Sequence, residues 1–279
     1  MNKPRFNTVD RHAQVFHLCV ASPRLDFFFA LRETSAQPTT PDMPPILNVT
    51  THSFTDCHAL ADALAERLAE RLREGLAERG YALLAVSGGS TPKHLFERLS
   101  RQALDWAKVQ VTLVDERWVP ESSERSNAAM VKAMLLQHAA STAQFVPLYA
   151  DAPTPEAGLV ALRARVASLP LPFDAVVLGM GNDGHTASFF PGGDRLPEAL
   201  DANSDVRVLP MRAPGAGEPR ITFTLSALLQ TRAMYLHIEG EGKRQLLADA
   251  RLGLGEAAHF PVRSVLTQER VPVAVYWCP

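Results

Sequence analysis

The sequence predicts an α/β fold: a doubly wound, mainly parallel open sheet with helices on both faces, in a single domain. Three observations predict it. Short apolar runs rich in Val, Ile and Leu alternate with helical periods along residues 43–279, the pattern of a parallel sheet wrapped by helices. No internal repeat or long linker divides that stretch. A chain of 279 residues, 46% apolar and 21% charged, folds with about 73% of its surface buried, enough for one large core.

In chain order, residues 1–42 mix Arg, Phe and polar residues without a period and end in the breaker-rich Ser35-Ala36-Gln37-Pro38-Thr39-Thr40-Pro41-Asp42. They read as an N-terminal extension, expected to be poorly ordered. Asp10, Arg11 and Arg24 interrupt the apolar core that a secretory signal needs, and Asp10, Asp26 and Glu33 do not suit an organellar transit peptide. Met43 precedes a strand-like start, Ile46-Leu47-Asn48-Val49, and is a second candidate start codon. Thr55 to Arg79 carries Leu60, Leu64, Leu68, Leu72 and Leu76 on one face and stops at Gly80, which predicts a long amphipathic helix. A buried strand follows over Tyr81 to Val86, and Thr91 is expected to cap a helix with Pro92 at its first position. Further strands are expected at Val109–Val114, Phe145–Leu148, Ala175–Leu178, Val206–Leu209, Ile221–Phe223, Met234–Ile238 and Val273–Trp277. Helices are expected at Asn127–His138, Pro155–Ser168 and Gly242–Leu252.

Composition excludes several classes. Twenty-eight Lys and Arg against 30 Asp and Glu leave a net charge of −2, which argues against a nucleic-acid partner. The longest apolar stretches, such as Phe27–Leu31, are far shorter than the eighteen or so residues of a membrane helix, so no membrane partner is expected. Cys19, Cys57 and Cys278 are odd in number, widely spaced and never in a CxxC pair. That spacing indicates neither a disulfide framework nor a zinc knuckle, and a reducing cytoplasm is the expected location.

Ligands of such sheets bind beyond the carboxyl ends of the strands, so the residues after each strand matter most. After Val86 comes Ser87-Gly88-Gly89-Ser90-Thr91-Pro92-Lys93, a small-residue turn into a helix start. It suits an anion through bare amides and two hydroxyls, and serves equally as an ordinary strand-to-helix turn. It is not a nucleotide P-loop, lacking Gly-Lys-Ser/Thr, nor a serine-hydrolase elbow, having Pro92 where the second glycine belongs. After Val114 comes Asp115-Glu116-Arg117-Trp118-Val119-Pro120, then Ser126-Asn127 opening a helix. Such a triplet is commonly a solvated turn with a surface ion pair, but at a strand end the arginine can clamp a phosphate. After Leu178, Gly179, Gly181 and Gly184 match GxGxxG. A dinucleotide fingerprint must open a long helix, and Pro191-Gly192-Gly193 breaks the chain within two turns. What remains is a loop presenting Asn182, Asp183 and His185 together. A lone histidine is more often structural; beside an aspartate at a strand end it is a reasonable general base. Arg220 and Lys243 are two further cations that suit an anionic ligand or a plain surface position.

Together and in this order, Ser87-Gly88-Gly89-Ser90-Thr91-Pro92, Asp115-Glu116-Arg117 with Val119-Pro120 and Ser126-Asn127, Gly179 to Gly192, Arg220-Ile221-Thr222 and Gly242-Lys243 resemble the 6-phosphogluconolactonase family. That family shares a sugar-phosphate superfamily with the glucosamine-6-phosphate deaminases. The likeness runs from about residue 46 to the end. It implies hydrolysis of the δ-lactone of 6-phosphogluconate, in the oxidative pentose phosphate pathway, without metal or organic cofactor. It further implies that Gly88, Gly89, Ser90 and Thr91 lie along the sugar phosphate and that Arg117, Arg220 and Lys243 neutralise it. His185 would be the acid/base, Asp183 its orienting partner, and Asn182 or backbone amides the oxyanion donors. The expected partner is the small-molecule lactone, with the chain a monomer or a small homo-oligomer. Two departures stand out: Phe189-Phe190 replaces the usual Leu-Phe, and Tyr276-Trp277-Cys278-Pro279 lacks the carboxylate and short helix that commonly follow the last strand.

The nearest rival is a deaminase/isomerase. That sister family reads Asp-Glu-Tyr at the second motif and carries an added acid after its histidine loop, where this chain has Arg117 and Thr186-Ala187-Ser188-Phe189-Phe190. A non-catalytic sugar-phosphate sensor would carry a helix-turn-helix, for which residues 1–42 have too little helical period. A serine or metal hydrolase is the third option.

Overall fold

Leu60, Leu64, Leu68 and Leu72 line one side of a 23-residue helix, α1 (Cys57–Arg79), and all four are buried in the computed structural model, as their four-residue spacing predicts. The structure describes residues 48–279; the expected extension over residues 1–42, and the Ile46-Leu47 start of the first expected strand, lie outside them. Asp56 caps α1 by accepting the backbone N–H groups of His58 and Ala59, and Gly80 ends it at φ 78°.

Among the described residues there are ten strands, nine of them overlapping expected ones and β4 in addition: β1 (Val49–Ser53), β2 (Ala82–Val86), β3 (Val109–Leu113), β4 (Asp115–Arg117), β5 (Gln144–Val146), β6 (Ala175–Leu178), β7 (Val208–Met211), β8 (Arg220–Phe223), β9 (Met234–Glu239) and β10 (Val273–Cys278). Seven form one sheet in the order β1-β10-β9-β6-β2-β3-β5, every pair parallel. From β2 the chain moves outward to β3 and β5, then returns to β6 on the other side of β2 and continues to β9 and β10. The order therefore reverses between β2 and β6.

The helices after α1 are α2 (Lys93–Leu99), α3 (Asn127–Met134), α4 (Pro155–Ala167), α5 (Leu196–Leu200), α6 (Leu225–Leu228), α7 (Glu241–Leu252) and α8 (Val262–Leu266). Right-handed crossovers put helices of opposite travel on opposite faces. On one face α1 packs on α2 and α2 on α3; on the other α7 packs against β9 and α8. None of the described helices is long and apolar enough to cross a membrane.

The structure corrects four expectations. Asp115–Arg117 is not a turn after a strand. It is itself a strand, and with β8 and β7 it forms a second, antiparallel sheet in the order β4-β8-β7. Three polar residues become a strand because partners supply the hydrogen bonds, a context no local preference encodes. Arg220 consequently lies within β8 rather than after a strand. α3 ends at Met134, short of His138, where the backbone turns to φ 49°. Thr91 does not cap α2: Pro92 holds the cap position and no side chain bonds there, so the helix makes no use of the Thr91 hydroxyl.

Asp174, buried just before β6, ties three elements together. It accepts the Leu83 N–H of β2 at 2.8 Å and pairs with Arg79 at the end of α1. Asp174→Ala leaves that N–H without a buried acceptor, and urea denaturation is expected to show a loss of about 2–3 kcal/mol.

Candidate active site

The loops that follow β2 and β6 open side by side, because Val86 pairs with Val177 in register and the Ser87 N–H continues the ladder to Val177 O at 3.0 Å. In the first loop, Gly88 is required by close approach. A Cβ there would stand 2.0 Å from Oδ1 of Asn127, the first residue of α3. Asn127 itself is fixed by donating from Nδ2 to Asp115 O at 3.0 Å. The anchor of this corner is Glu116, fully buried, whose carboxylate accepts the N–H groups of Arg117, Asn127 and Ala128 and the Ser126 hydroxyl at 2.7–3.1 Å. Burial pushes the Glu116 carboxyl up, against the opposing pull of those backbone donors. The acidic pair thus splits: Glu116 clamps β4 to α3, and Asp115 lines the cavity.

In the second loop, Gly181 donates its N–H to His185 O at 2.9 Å and accepts the N–H of Gly184 at 3.1 Å. This closes a tight ring of backbone around Asp183. The Asp183 carboxylate accepts the His185 backbone N–H at 3.2 Å, and its Oδ1 lies 2.5 Å from the imidazole Nδ1. Burial opposes ionisation of Asp183, but hydrogen bonding and charge from His185 outweigh it and hold the carboxyl below its ordinary value. An ionised carboxylate only accepts, so Nδ1 carries a proton and, in the neutral imidazole, the lone pair is on Nε2. The ring is fixed on two more sides. It stacks on Phe190 at a 4.4 Å centroid distance, and a Cβ on Gly181 would reach 2.2 Å from the ring.

The neighbouring wall is cationic. Arg117 of β4 and Arg220 of β8 are directly paired across the antiparallel ladder, where like charges repel. Arg117 donates from Nη1 to Arg125 O at 2.7 Å, and Arg220 from Nη2 to Ala216 O at 2.8 Å. Asp115 stands 3.7 Å from Arg220 Nη1, and both Nε atoms are buried without a partner. Burial is the main cause that lowers the pKa of Arg220, and the neighbouring Arg117 and Arg125 add to it. Phe190 carries the Arg220 guanidinium over its ring at 5.2 Å, so one aromatic ring touches both the imidazole and the cation. Gly240 caps the start of α7, its carbonyl accepting the Trp277 indole N–H at 3.0 Å, and Lys243 lies in the helix's first turn.

These groups enclose a cavity of about 280 Å³. Gly88, Gly89, Ser90, Thr91, Arg117, His185, Arg220 and Lys243 all line it. Asp183 does not line it and adjoins it through its contact with His185. Asn182 is exposed and also outside the lining. Sequence reasoning missed Asn127, Phe190 and His237 as lining residues. The Ser126-Asn127 helix start was a usable signal for the first. Nothing in the local sequence marks His237, a strand residue brought in by the pairing of β9 with β6.

Residues 55–277 match the family model described as glucosamine-6-phosphate isomerases/6-phosphogluconolactonase. The chain belongs to that family. The 6-phosphogluconolactonase of Rhizobium meliloti is 52% identical over 228 residues, 82% of this chain and 98% of the relative. That of Pseudomonas aeruginosa is 42% identical, over 73% of this chain and 84% of the relative. Among solved structures, a 6-phosphogluconolactonase from Shewanella baltica superposes with a TM-score of 0.80 at 40% identity, covering 85% of this chain and all of that one. A monomeric glucosamine-6-phosphate deaminase, 19% identical with a TM-score of 0.65, shares the fold.

Gly181→Ala tests the fit around the imidazole. The added methyl displaces the His185 ring, and activity is expected to fall by about 10²-fold, as misplacement of a catalytic group by an ångström does, with an unchanged urea midpoint.

Proposed function

We propose that this chain hydrolyses 6-phospho-D-glucono-1,5-lactone to 6-phospho-D-gluconate, with His185 as general acid/base and no metal in the reaction. One observation carries the reading. An imidazole oriented through Nδ1 and a pair of adjacent arginines line the same cavity of about 280 Å³. The relatives named 6-phosphogluconolactonase at up to 52% identity support the same activity.

The chemistry follows from the residues. The phosphate lies against the Gly88-Gly89-Ser90-Thr91 turn, where backbone N–H groups and two hydroxyls meet a dianion, and Arg117, Arg220 and Lys243 offset its charge. An anion between Arg117 and Arg220 relieves the repulsion built into their cross-strand pairing. With the phosphate held, the C1 carbonyl meets His185. Nε2 removes a proton from water as its oxygen attacks C1, and the electron pair of the carbonyl moves onto oxygen. As the tetrahedral intermediate collapses, the bond from C1 to the ring oxygen breaks and the imidazolium returns its proton to that oxygen. Asp183 keeps the ring in the needed tautomer and stabilises the imidazolium. Such a positioned acid/base contributes about 10²–10⁴-fold. A cytoplasmic location belongs to the same reading, because soluble sugar phosphates are its substrates.

Two measurements test it. His185→Asn, assayed on freshly generated lactone with spontaneous ring opening subtracted, is expected to lower kcat by about 10²–10⁴-fold while phosphate-ligand binding persists; retained turnover overturns the mechanism, and ammonia release from glucosamine 6-phosphate at a matching rate overturns the substrate. Arg117→Ala is expected to lower kcat/KM for the phosphorylated lactone by roughly 10–100-fold, the worth of a charged hydrogen bond, and to leave the unphosphorylated lactone nearly unaffected. An equal loss on both would remove the phosphate assignment.

A further inference from the structure

Cys57 and Cys278 stand 221 positions apart, and their spacing in the sequence suggests no shared site, yet the fold brings them together. Cys278 ends β10 and is paired in register with Glu239 at the end of β9, so the two side chains point to the same face of the sheet. That face is covered by α1, whose first residue is Cys57. One sulfur from each cysteine and one carboxylate oxygen of Glu239 all lie within 4.8 Å of one another. Both cysteines are free thiols, and Cys57 and Glu239 are only half-buried while Cys278 is buried. An ion can therefore reach the cluster from solvent.

We propose that Cys57, Cys278 and Glu239 form a binding site for a thiophilic divalent cation of the zinc class, separate from the lactone chemistry. Two sulfur ligands select zinc-like ions over magnesium or calcium, which take oxygen. Zinc bonds of about 2.3 Å to sulfur and 2.0–2.2 Å to oxygen separate ligand atoms by roughly 3.5–3.8 Å, so closure from the observed spacing needs side-chain shifts of about an ångström. The supports are rigid: two ligands sit on adjacent paired strands and the third is the first residue of a long helix.

A second observation points the same way. His237, 2% exposed on β9, has its Nε2 3.2 Å from Oε1 of Glu239. A histidine donating to a ligating carboxylate orients it and leaves its other oxygen for the ion, the usual arrangement behind a metal ligand. His237 also lines the lactone cavity, so the cluster lies directly behind the wall of the active site.

The test uses the full chain with Cys19→Ser, reduced and stripped by chelator, titrated with Co²⁺ and then with Zn²⁺. One equivalent of Co²⁺ is expected to produce a thiolate-to-cobalt charge-transfer band in the near ultraviolet, bleached by one equivalent of Zn²⁺. Cys57→Ser, at a half-buried helix start, is expected to weaken Co²⁺ binding at least about 10-fold and to reduce the band at saturation, with an unchanged far-ultraviolet circular dichroism spectrum as the check on folding. His237→Phe is expected to keep the band and weaken Co²⁺ binding by about 10–100-fold. Three results overturn the site: no band at micromolar Co²⁺, Cys57→Ser binding as tightly as the parent, or a mass lower by two hydrogens showing that the thiols pair as a disulfide instead. Lactone hydrolysis enters none of these readouts, so failure here leaves the proposed function standing.

Discussion

The backbone hydrogen bonds between β2 and β6 are the constraint on which the rest of this molecule depends. Chain order reverses at that pair, so the two loops leaving it diverge from a common edge and no helix fills the gap between them. One of those loops is rich in bare amides and hydroxyls, and the other carries the imidazole. Neither loop has a ligand-sized recess by itself. The recess exists because parallel pairing aligns Val86 with Val177 and releases both chains at the same height.

The small antiparallel sheet supplies what the large one lacks. A parallel sheet presents only its strand ends to a ligand, whereas β4 and β8 lie across the opening and present two arginines from one cross-strand pair. Holding like charges together has an energetic cost, and the fold offsets part of it with Asp115 and with the Phe190 ring under Arg220. The buried Glu116 carboxylate fastens this sheet to the start of α3 through three hydrogen bonds, from the Ser126 hydroxyl and the N–H groups of Asn127 and Ala128. Electrostatic preorganisation of this kind suits a site whose substrate carries a permanent dianion. Phe190 links the two functions physically, since the ring that supports the guanidinium also supports the imidazole.

Local chemistry was readable wherever a residue's role depends on its neighbours in sequence. The leucine spacing of α1, the Pro155 start of α4 and the uniformly apolar β6 appear as expected, because helix and buried strand impose periods that residues a few positions apart already satisfy. Asp183 and His185, two positions apart, meet as anticipated. The departures arise where the partner is remote. Asp-Glu-Arg carries no strand signal, and it becomes one only against Ile221 and its neighbours more than a hundred positions later. Thr91 looks like a helix cap, but the turn geometry after Gly89 gives the cap position to Pro92.

By itself, the sequence determined the α/β class, the order of most elements, the family, and eight of the residues that face the cavity, since each is carried by a short motif with its own local geometry. Tertiary structure alone decided which of those groups share a wall, that Glu116 is a clamp while Asp115 faces the cavity, that Asn182 stays outside, that His237 lines the cavity, and that Cys57 and Cys278 come together beside Glu239. The physical reason is common to all of these. They depend on strand register and on the side of the sheet a residue faces, quantities set by pairing between distant segments and carried by no single stretch of chain.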